Sequence, residues 1–286
     1  MEVSLLLPVI SSALWSLNPA IIYRYAKRAP PFLFTSTRAI FASVFITAVM
    51  LLSGVNAGTP PVKAFLLAST SGVVGLALGD VAYTLSIQLL GGSLAAIICY
   101  TYMFFAQWFT ALLVGEPLGF NAVLGSIVAF AGVTVASYRG EGGQRASKLG
   151  ILYAFSTAVL WGLSAVFIKA VEEYCDPILV ALSRLIPVPL VDTALGLARR
   201  ENFPLDRGFF AAAAVTGVIG WGVGMVLYVY AIYALGVSTT VIATALTPVL
   251  SQFTAKVISG ERIPRRVFGG ALFVGAGIAL QVRPLM

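Results

Sequence analysis

The chain has 286 residues, of which 59% are hydrophobic and only 10% charged, with a mean hydropathy of +0.96 and a net charge of +7. Soluble domains carry about 25% charged residues, so a soluble globular protein is excluded and the chain reads as an all-α polytopic membrane protein. His is absent and the two cysteines, Cys99 and Cys175, are too few for a disulfide framework, so no metal site and no cofactor is expected. The opening Met1-Glu2-Val3-Ser4 has no basic n-region, and no cleaved signal peptide is expected.

A spanning helix takes about 20 apolar residues. Apolar runs predict ten spans at 3–23, 32–52, 64–90, 94–114, 119–138, 149–170, 178–198, 208–234, 238–258 and 267–282. The runs are continuous and do not alternate with period two, which favours helices over a barrel. In span one, Asn18 precedes Pro19, placing an amide beside a kink. Span two carries Arg38 and span three carries Gly75-xxx-Gly79, Asp80 and Tyr83. Tyr100 lies in span four, Trp161 in span six, and Arg184 and Asp192 in span seven. Span eight holds Gly220-xxx-Gly224 and Tyr228; span nine holds Pro248, which should open its backbone, and Lys256. The glycine pairs allow close helix approach. Small-residue faces in spans five (Gly125, Ala129, Gly132, Ala136) and ten (Gly270, Ala271, Gly275, Gly277) suit packing within the chain or a dimer contact. Glu116 and Glu261 precede spans five and ten, where the helix dipole favours a carboxylate.

Internal repetition organises these elements. Residues 72–135 set against 217–280 give 17 identities in 64 positions, among them Gly75/Gly220, Gly79/Gly224, Tyr83/Tyr228, Gln107/Gln252 and Glu116/Glu261. Earlier in the chain the offset is 146, and Trp15 matches Trp161, Pro31 matches Pro177, and Arg38 matches Arg184. The repeats are assigned to 1–140 and 147–286. Five spans per half is an odd number, so the second half enters from the opposite face and the repeat is inverted. Inverted repeats are the usual architecture of alternating-access carriers, with the site near the midplane.

Twelve Lys and Arg residues fall in loops on one face, including Arg139, Arg199, Arg207 and Arg262, whereas Lys63, Lys169 and Arg283 are the three on the face that carries both termini. Positive loops stay cytoplasmic, so the bias places both termini outside a plasma membrane. The net charge is thereby a topology signal, and no nucleic-acid partner is expected. Arg38, Arg184 and Lys256 remain inside spans.

On these residues each half resembles the five-helix unit of the EamA-type branch of the drug/metabolite transporter superfamily. The matching features are Trp15-Ser16-Leu17-Asn18 and Trp161-Gly162-Leu163-Ser164, Arg38 and Arg184 early in spans two and seven, Thr247-Pro248 in span nine, Gly115-Glu116 and Gly260-Glu261, and Gly132 and Gly277. The resemblance implies a ten-helix carrier for small organic solutes, often an exporter of amino acids or related metabolites, and not an enzyme. It also implies termini in the cytoplasm, against the charge count. Tyr102-Met103 stands where the resemblance implies a proline in span four, so the two halves need not bend alike.

Intramembrane charges are costly and functional by default. Depth along the helices permits an Arg38–Asp80 pair, with Asp192 and Lys256 approaching the same half of the bundle. Met225 occupies the repeat position of Asp80, so Arg184 has no partner supplied by symmetry. Its planar fork suits a substrate carboxylate or other anion; the other reading is that it reaches the interface or a loop carboxylate such as Glu172, Glu173 or Asp176. Tyr83, Tyr228, Trp15, Trp161, Tyr100 and Asn18 complete the expected substrate site, and Pro19, Pro248, Gly75, Gly79, Gly220 and Gly224 the hinges and packing points. An exchanger of phosphorylated solutes and a proton-coupled multidrug exporter stand as alternatives. A membrane enzyme lacks the Asp-rich or HExxH motif it would need. Membrane lipid surrounds the chain, as monomer or homodimer.

Overall fold

The computed structural model describes residues 3–25, 29–54, 58–137, 147–203, 206–259 and 265–282. Glu261, Arg262 and Arg283 lie outside them. Among the described residues, seven helical segments are long and apolar enough to cross a membrane, including Val3–Ile22, Pro31–Ser53, Val62–Leu90 and Lys148–Ala170. Phe120–Ala136 is a shorter apolar helix. The segment Arg207–Thr244 holds span eight and the first half of span nine, because the helix breaks at Gly236 with φ 77°. Gly91 makes the matching turn between spans three and four with φ 78°; only glycine adopts that backbone without steric cost. With Leu246–Ser259 completing span nine and Arg265–Val282 as span ten, the ten-helix membrane fold is complete.

The repeats are inverted. A Cβ on Gly125 would stand 2.7 Å from the carbonyl oxygen of Gly277, and one on Gly132 would stand 2.6 Å from that of Gly270. Gly125 and Gly270 are repeat equivalents, as are Gly132 and Gly277. Spans five and ten therefore cross antiparallel about a pseudo-two-fold axis. This contact uses Gly125, Ala129, Gly132, Ala136, Gly270 and Gly277 for packing within the chain.

Spans three and eight each contain a π-helical stretch, Val73–Gly79 and Thr216–Gly224. Such stretches widen the helix and leave carbonyls off the regular ladder. Side chains of the opposite repeat take them up, since lipid offers no partner. Thr157 Oγ1 donates to the Gly79 carbonyl at 3.2 Å and Ser11 Oγ to that of Gly224 at 2.8 Å; Ser11 and Thr157 are themselves repeat equivalents. Gly75 and Gly79 fit because Ser164 and Trp161 occupy the space a Cβ would need, and Gly220 and Gly224 lie likewise against Asn18 and Trp15.

Spans one, four, seven and nine are broken. Span one divides into Leu6–Trp15 and Leu17–Tyr25, and span seven into Pro177–Leu185 and Pro187–Ala198. Pro19 and Pro187 each lack an N–H and clash with the carbonyl four residues earlier. Ser69 Oγ donates to the Ser183 carbonyl that Pro187 leaves free, at 3.2 Å, and Thr254 Oγ1 donates to Ser16 O at 2.7 Å. Span nine breaks at Ala245, three residues before Pro248. Span four, without a proline, breaks at Tyr100–Thr101, the matching level. Span four thus bends without a proline: Thr101 Oγ1 donates to the Ile98 carbonyl at 2.6 Å, and Phe104 N bonds back only three residues, to Thr101 O. A hydroxyl bonding back along the helix bends it.

Glu116 also acts elsewhere than expected. Its carboxylate accepts from Val237 N at 3.2 Å and Ser238 N at 3.1 Å, so it caps span nine of the other repeat instead of its own span five.

The seam between spans five and ten is tested by Gly277→Ala, whose new methyl would meet a backbone oxygen, against Gly275→Ala, which meets nothing within 4 Å. Overpacking costs about 1–3 kcal/mol. The thermal midpoint of the detergent-solubilised protein should drop for Gly277→Ala and stay unchanged for Gly275→Ala.

Candidate functional site

A cavity of about 100 Å³ lies between the two repeats, lined by spans one to four and six to nine. Arg38 and Arg184 each stand seven residues inside their span, or ~10 Å from opposite ends of the bundle, and the cavity lies between them.

At one end is a buried ion pair. Arg38 Nη1 is 3.5 Å from Asp80 Oδ2, and the side chains are 2% and 10% exposed. Trp161 Nε1 donates to Asp80 Oδ1 at 2.8 Å. The Arg38 guanidinium also lies 4.1 Å from the centroid of the Trp221 ring, a cation–π contact. Its charge is therefore compensated on two sides. The first π stretch ends at Gly79, so Asp80 opens the following α-helix, Asp80–Leu90.

At the other end Arg184 is 4% exposed. Its Nη2 donates to Ser164 Oγ at 3.2 Å, while Nε and Nη1 have no hydrogen-bond partner. It neither reaches the interface nor takes a loop carboxylate. Glu172 pairs with Lys169 at 2.6 Å, and Asp176 caps span seven by accepting from Ile178 N at 2.9 Å. Met225 stands where symmetry would place a second aspartate, and it lines the cavity.

Aromatic rings form the walls. Trp15 packs on Tyr228 with centroids 5.2 Å apart, and its repeat equivalent Trp161 packs on Tyr83 at 5.0 Å. Tyr100 and Tyr102 stand edge-on to Trp161 at 6.3 and 5.8 Å. Tyr102 is hydrogen-bonded to Thr244 of span nine, close to that span's break. The indoles differ in polar partner. With no aspartate opposite it, Trp15 Nε1 donates instead to the Gly220 carbonyl at 2.8 Å.

Of the residues singled out from sequence, Trp15, Asn18, Pro19, Arg38, Gly75, Asp80, Tyr83, Tyr100, Trp161, Arg184 and Tyr228 line the cavity. Gly79 and Gly224 sit beneath the indoles and Gly220 against Asn18. Asp192 and Lys256 form no ion pair with Arg38 or Asp80: Asp192 is fully buried and does not line the cavity, and Lys256 is exposed. Among the other aromatics, Trp108 and Tyr230 face outward. Sequence reasoning missed Ser164 and Thr247 as lining residues. Register held the signal, since Ser164 is the repeat equivalent of Asn18 and Thr247 that of Tyr102.

An inverted-repeat bundle of broken helices around an aromatic-walled cavity with a few charged groups is the architecture of a membrane transporter. The EamA-like transporter family matches residues 3–138 and 148–283, and the chain belongs to that family. It is 23% identical over 282 residues, covering 98% of both chains, to an uncharacterized transporter of Archaeoglobus fulgidus. It is 24% identical over 275 residues to the uncharacterized transporter YvbV of Bacillus subtilis strain 168, covering 93% of this chain and 87% of YvbV. A solved crystal structure superposes with a TM-score of 0.82 at 20% identity, covering 99% of this chain and 97% of the other, which shows the shared fold.

Removing one partner of a buried ion pair costs about 3–5 kcal/mol, because the other charge is left uncompensated. Asp80→Asn should therefore lower the thermal midpoint markedly, and adding Arg38→Gln should restore most of the loss. A double-mutant cycle read by thermal unfolding checks this.

Proposed function

We propose that the chain carries small zwitterionic or anionic organic solutes, amino acids first among them, by alternating access between its two repeats. The observation behind this reading is Arg184: a buried guanidinium on the cavity wall with two unspent donor groups, Nε and Nη1. A carboxylate would accept from Nη1 and from the second N–H of Nη2 in the two-pronged geometry that arginine favours, which leaves the Nε–H for a further acceptor. Asn18 Oδ1 and Thr247 Oγ1 also line the cavity and lack hydrogen-bond partners. They are acceptors suited to the ammonium group, with aromatic faces beside them for an apolar side chain. With Arg38 and Asp80 mutually compensated, Arg184 leaves the cavity one net positive charge, which a carboxylate cancels. Phosphorylated solutes fit less well, because a phosphate calls for clustered cations and the Arg38 guanidinium is already engaged. Export is the direction the family resemblance implies.

A thermal-shift screen against amino acids, nucleotides, sugar phosphates and lipophilic cations tests the substrate class, since a bound ligand stabilises in proportion to occupancy. Amino acids should raise the midpoint. A charge-assisted hydrogen bond is worth about 1.5–3 kcal/mol, so Arg184→Gln should lower amino-acid uptake into proteoliposomes by about ten-fold or more, with Arg184→Lys between. Unchanged uptake in Arg184→Gln contradicts the assignment.

The lysine and arginine bias supports a plasma-membrane carrier with both termini outside. Cys175, in the loop between spans six and seven, shares the face of the termini, and the other cysteine, Cys99, is buried. Burial, and secondarily the neighbouring Asp176, pushes the Cys175 thiol above its usual range. The thiolate is the reactive form, so labelling should speed up as pH rises. An impermeant maleimide should modify Cys175 in intact cells at mildly alkaline pH; labelling only after lysis puts the termini inside.

A further inference from the structure

Asp192 is an acidic residue for which neither the fold nor the cavity accounts. It lies in Pro187–Ala198, eight residues beyond Arg184, or ~12 Å along the axis, on the far side of the Ile186 break. Its exposure is 0%, and neither carboxyl oxygen has a hydrogen-bond partner. The ionisable groups on the elements packed against it are engaged or remote. Arg38 on span two and Asp80 on span three pair with each other. Glu201, just past span seven, accepts from Leu33 N at 3.0 Å. Arg184 bonds Ser164, and Lys63 is exposed at the opposite face. The adjacent Thr193 is taken by Ser36, their hydroxyls 2.8 Å apart.

The repeat shows that the scaffold does not require an acid here. The position matching Asp192 in the first half is Ile46, which is 1% exposed and part of the apolar core. A carboxylate held in hydrocarbon-like surroundings without a partner is strongly disfavoured as an ion. A carboxyl kept there without a structural duty marks an ion or proton path.

We propose that Asp192 is a proton-binding site that couples solute movement to a proton gradient. In the conformation seen here the carboxyl holds a proton and is sealed from water. In a conformation that opens this segment, the O–H bond breaks, the proton passes to water on that face, and a carboxylate remains. Before the segment can close again the carboxylate must take a proton back from water. The broken joint at Ile186–Pro187 lets this segment tilt relative to the one carrying Arg184. Coupling rests on the carrier reading above; protonation does not.

Three measurements test it. Infrared spectra of the reconstituted protein at neutral pH should contain a protonated-carboxyl carbonyl band that Asp192→Asn removes and Glu172→Gln leaves in place. Identical spectra for wild type and Asp192→Asn overturn the proposal. Asp192→Ile, which installs the residue of the matching position, should melt no lower than wild type; a clear drop would mean that the carboxyl is structural and also overturns it. In proteoliposomes given a labelled mixture of the twenty amino acids, an imposed pH gradient should speed wild-type uptake several-fold, whereas Asp192→Asn should transport without responding. A gradient response that survives in Asp192→Asn, or is absent from an active wild type, refutes coupling. A wild type that moves none of the mixture contradicts the amino-acid reading alone, and the infrared band then decides the proton site.

Discussion

In a bilayer every backbone polar group must find its partner inside the protein, and this requirement governs the whole structure. Regular helices meet it by themselves. This chain departs from regular helix in six of its spans, by breaks at Ser16, Tyr100–Thr101, Ile186 and Ala245 and by two π stretches. The exposed carbonyls are met by hydroxyls and indoles: Ser11 and Thr157 on the π glycines, Trp15 on Gly220, Ser69 on Ser183, Thr254 on Ser16. All five of these bonds cross from one repeat to the other and form a zipper between the halves. Local irregularity and the interlocking of the repeats are thus one phenomenon.

The same interlocking makes the cavity. Glycines in spans three and eight let the indoles of Trp161 and Trp15 lie directly on the π stretches, and each indole then carries its tyrosine, Tyr83 or Tyr228, into the wall. Two-fold symmetry would give two identical half-sites. Replacing one aspartate by Met225 breaks the equivalence, so that Arg38 is neutralised and Arg184 is not. The asymmetry gives the cavity a polarity, with a spent arginine at one end and an available one at the other.

Much of this was legible in the residues. The Arg38–Asp80 pair followed from helix depth, and the missing counterpart of Asp80 followed from repeat register. Glycine spacing marked the close contacts. What was not legible has a physical cause in each case. Bending in span four comes from the Thr101 hydroxyl bonding back to Ile98, and threonines in helices do this without changing the local pattern. Glu116 caps the opposite repeat because the Gly236 turn lies beside its loop, a neighbour that sequence distance conceals. Lys256 is exposed and Asp192 sealed because rotation about the span axis, which periodicity in an almost wholly apolar helix does not fix, decides which face of a span turns inward.

The sequence alone determined the solvent, the helix count, the inverted duplication and the family, because apolar length, repeat register and the cost of charge in lipid are properties of the chain read residue by residue. Tertiary structure decided which of the few charges are spent. Arg38 and Arg184 occupy equivalent positions, yet only the packing of Trp221 and Asp80 around one, and of Ser164 against the other, separates a cation with a carboxylate partner from one whose Nε and Nη1 have no hydrogen-bond partner. That distinction depends on distances of a few ångströms between spans that are far apart in the chain.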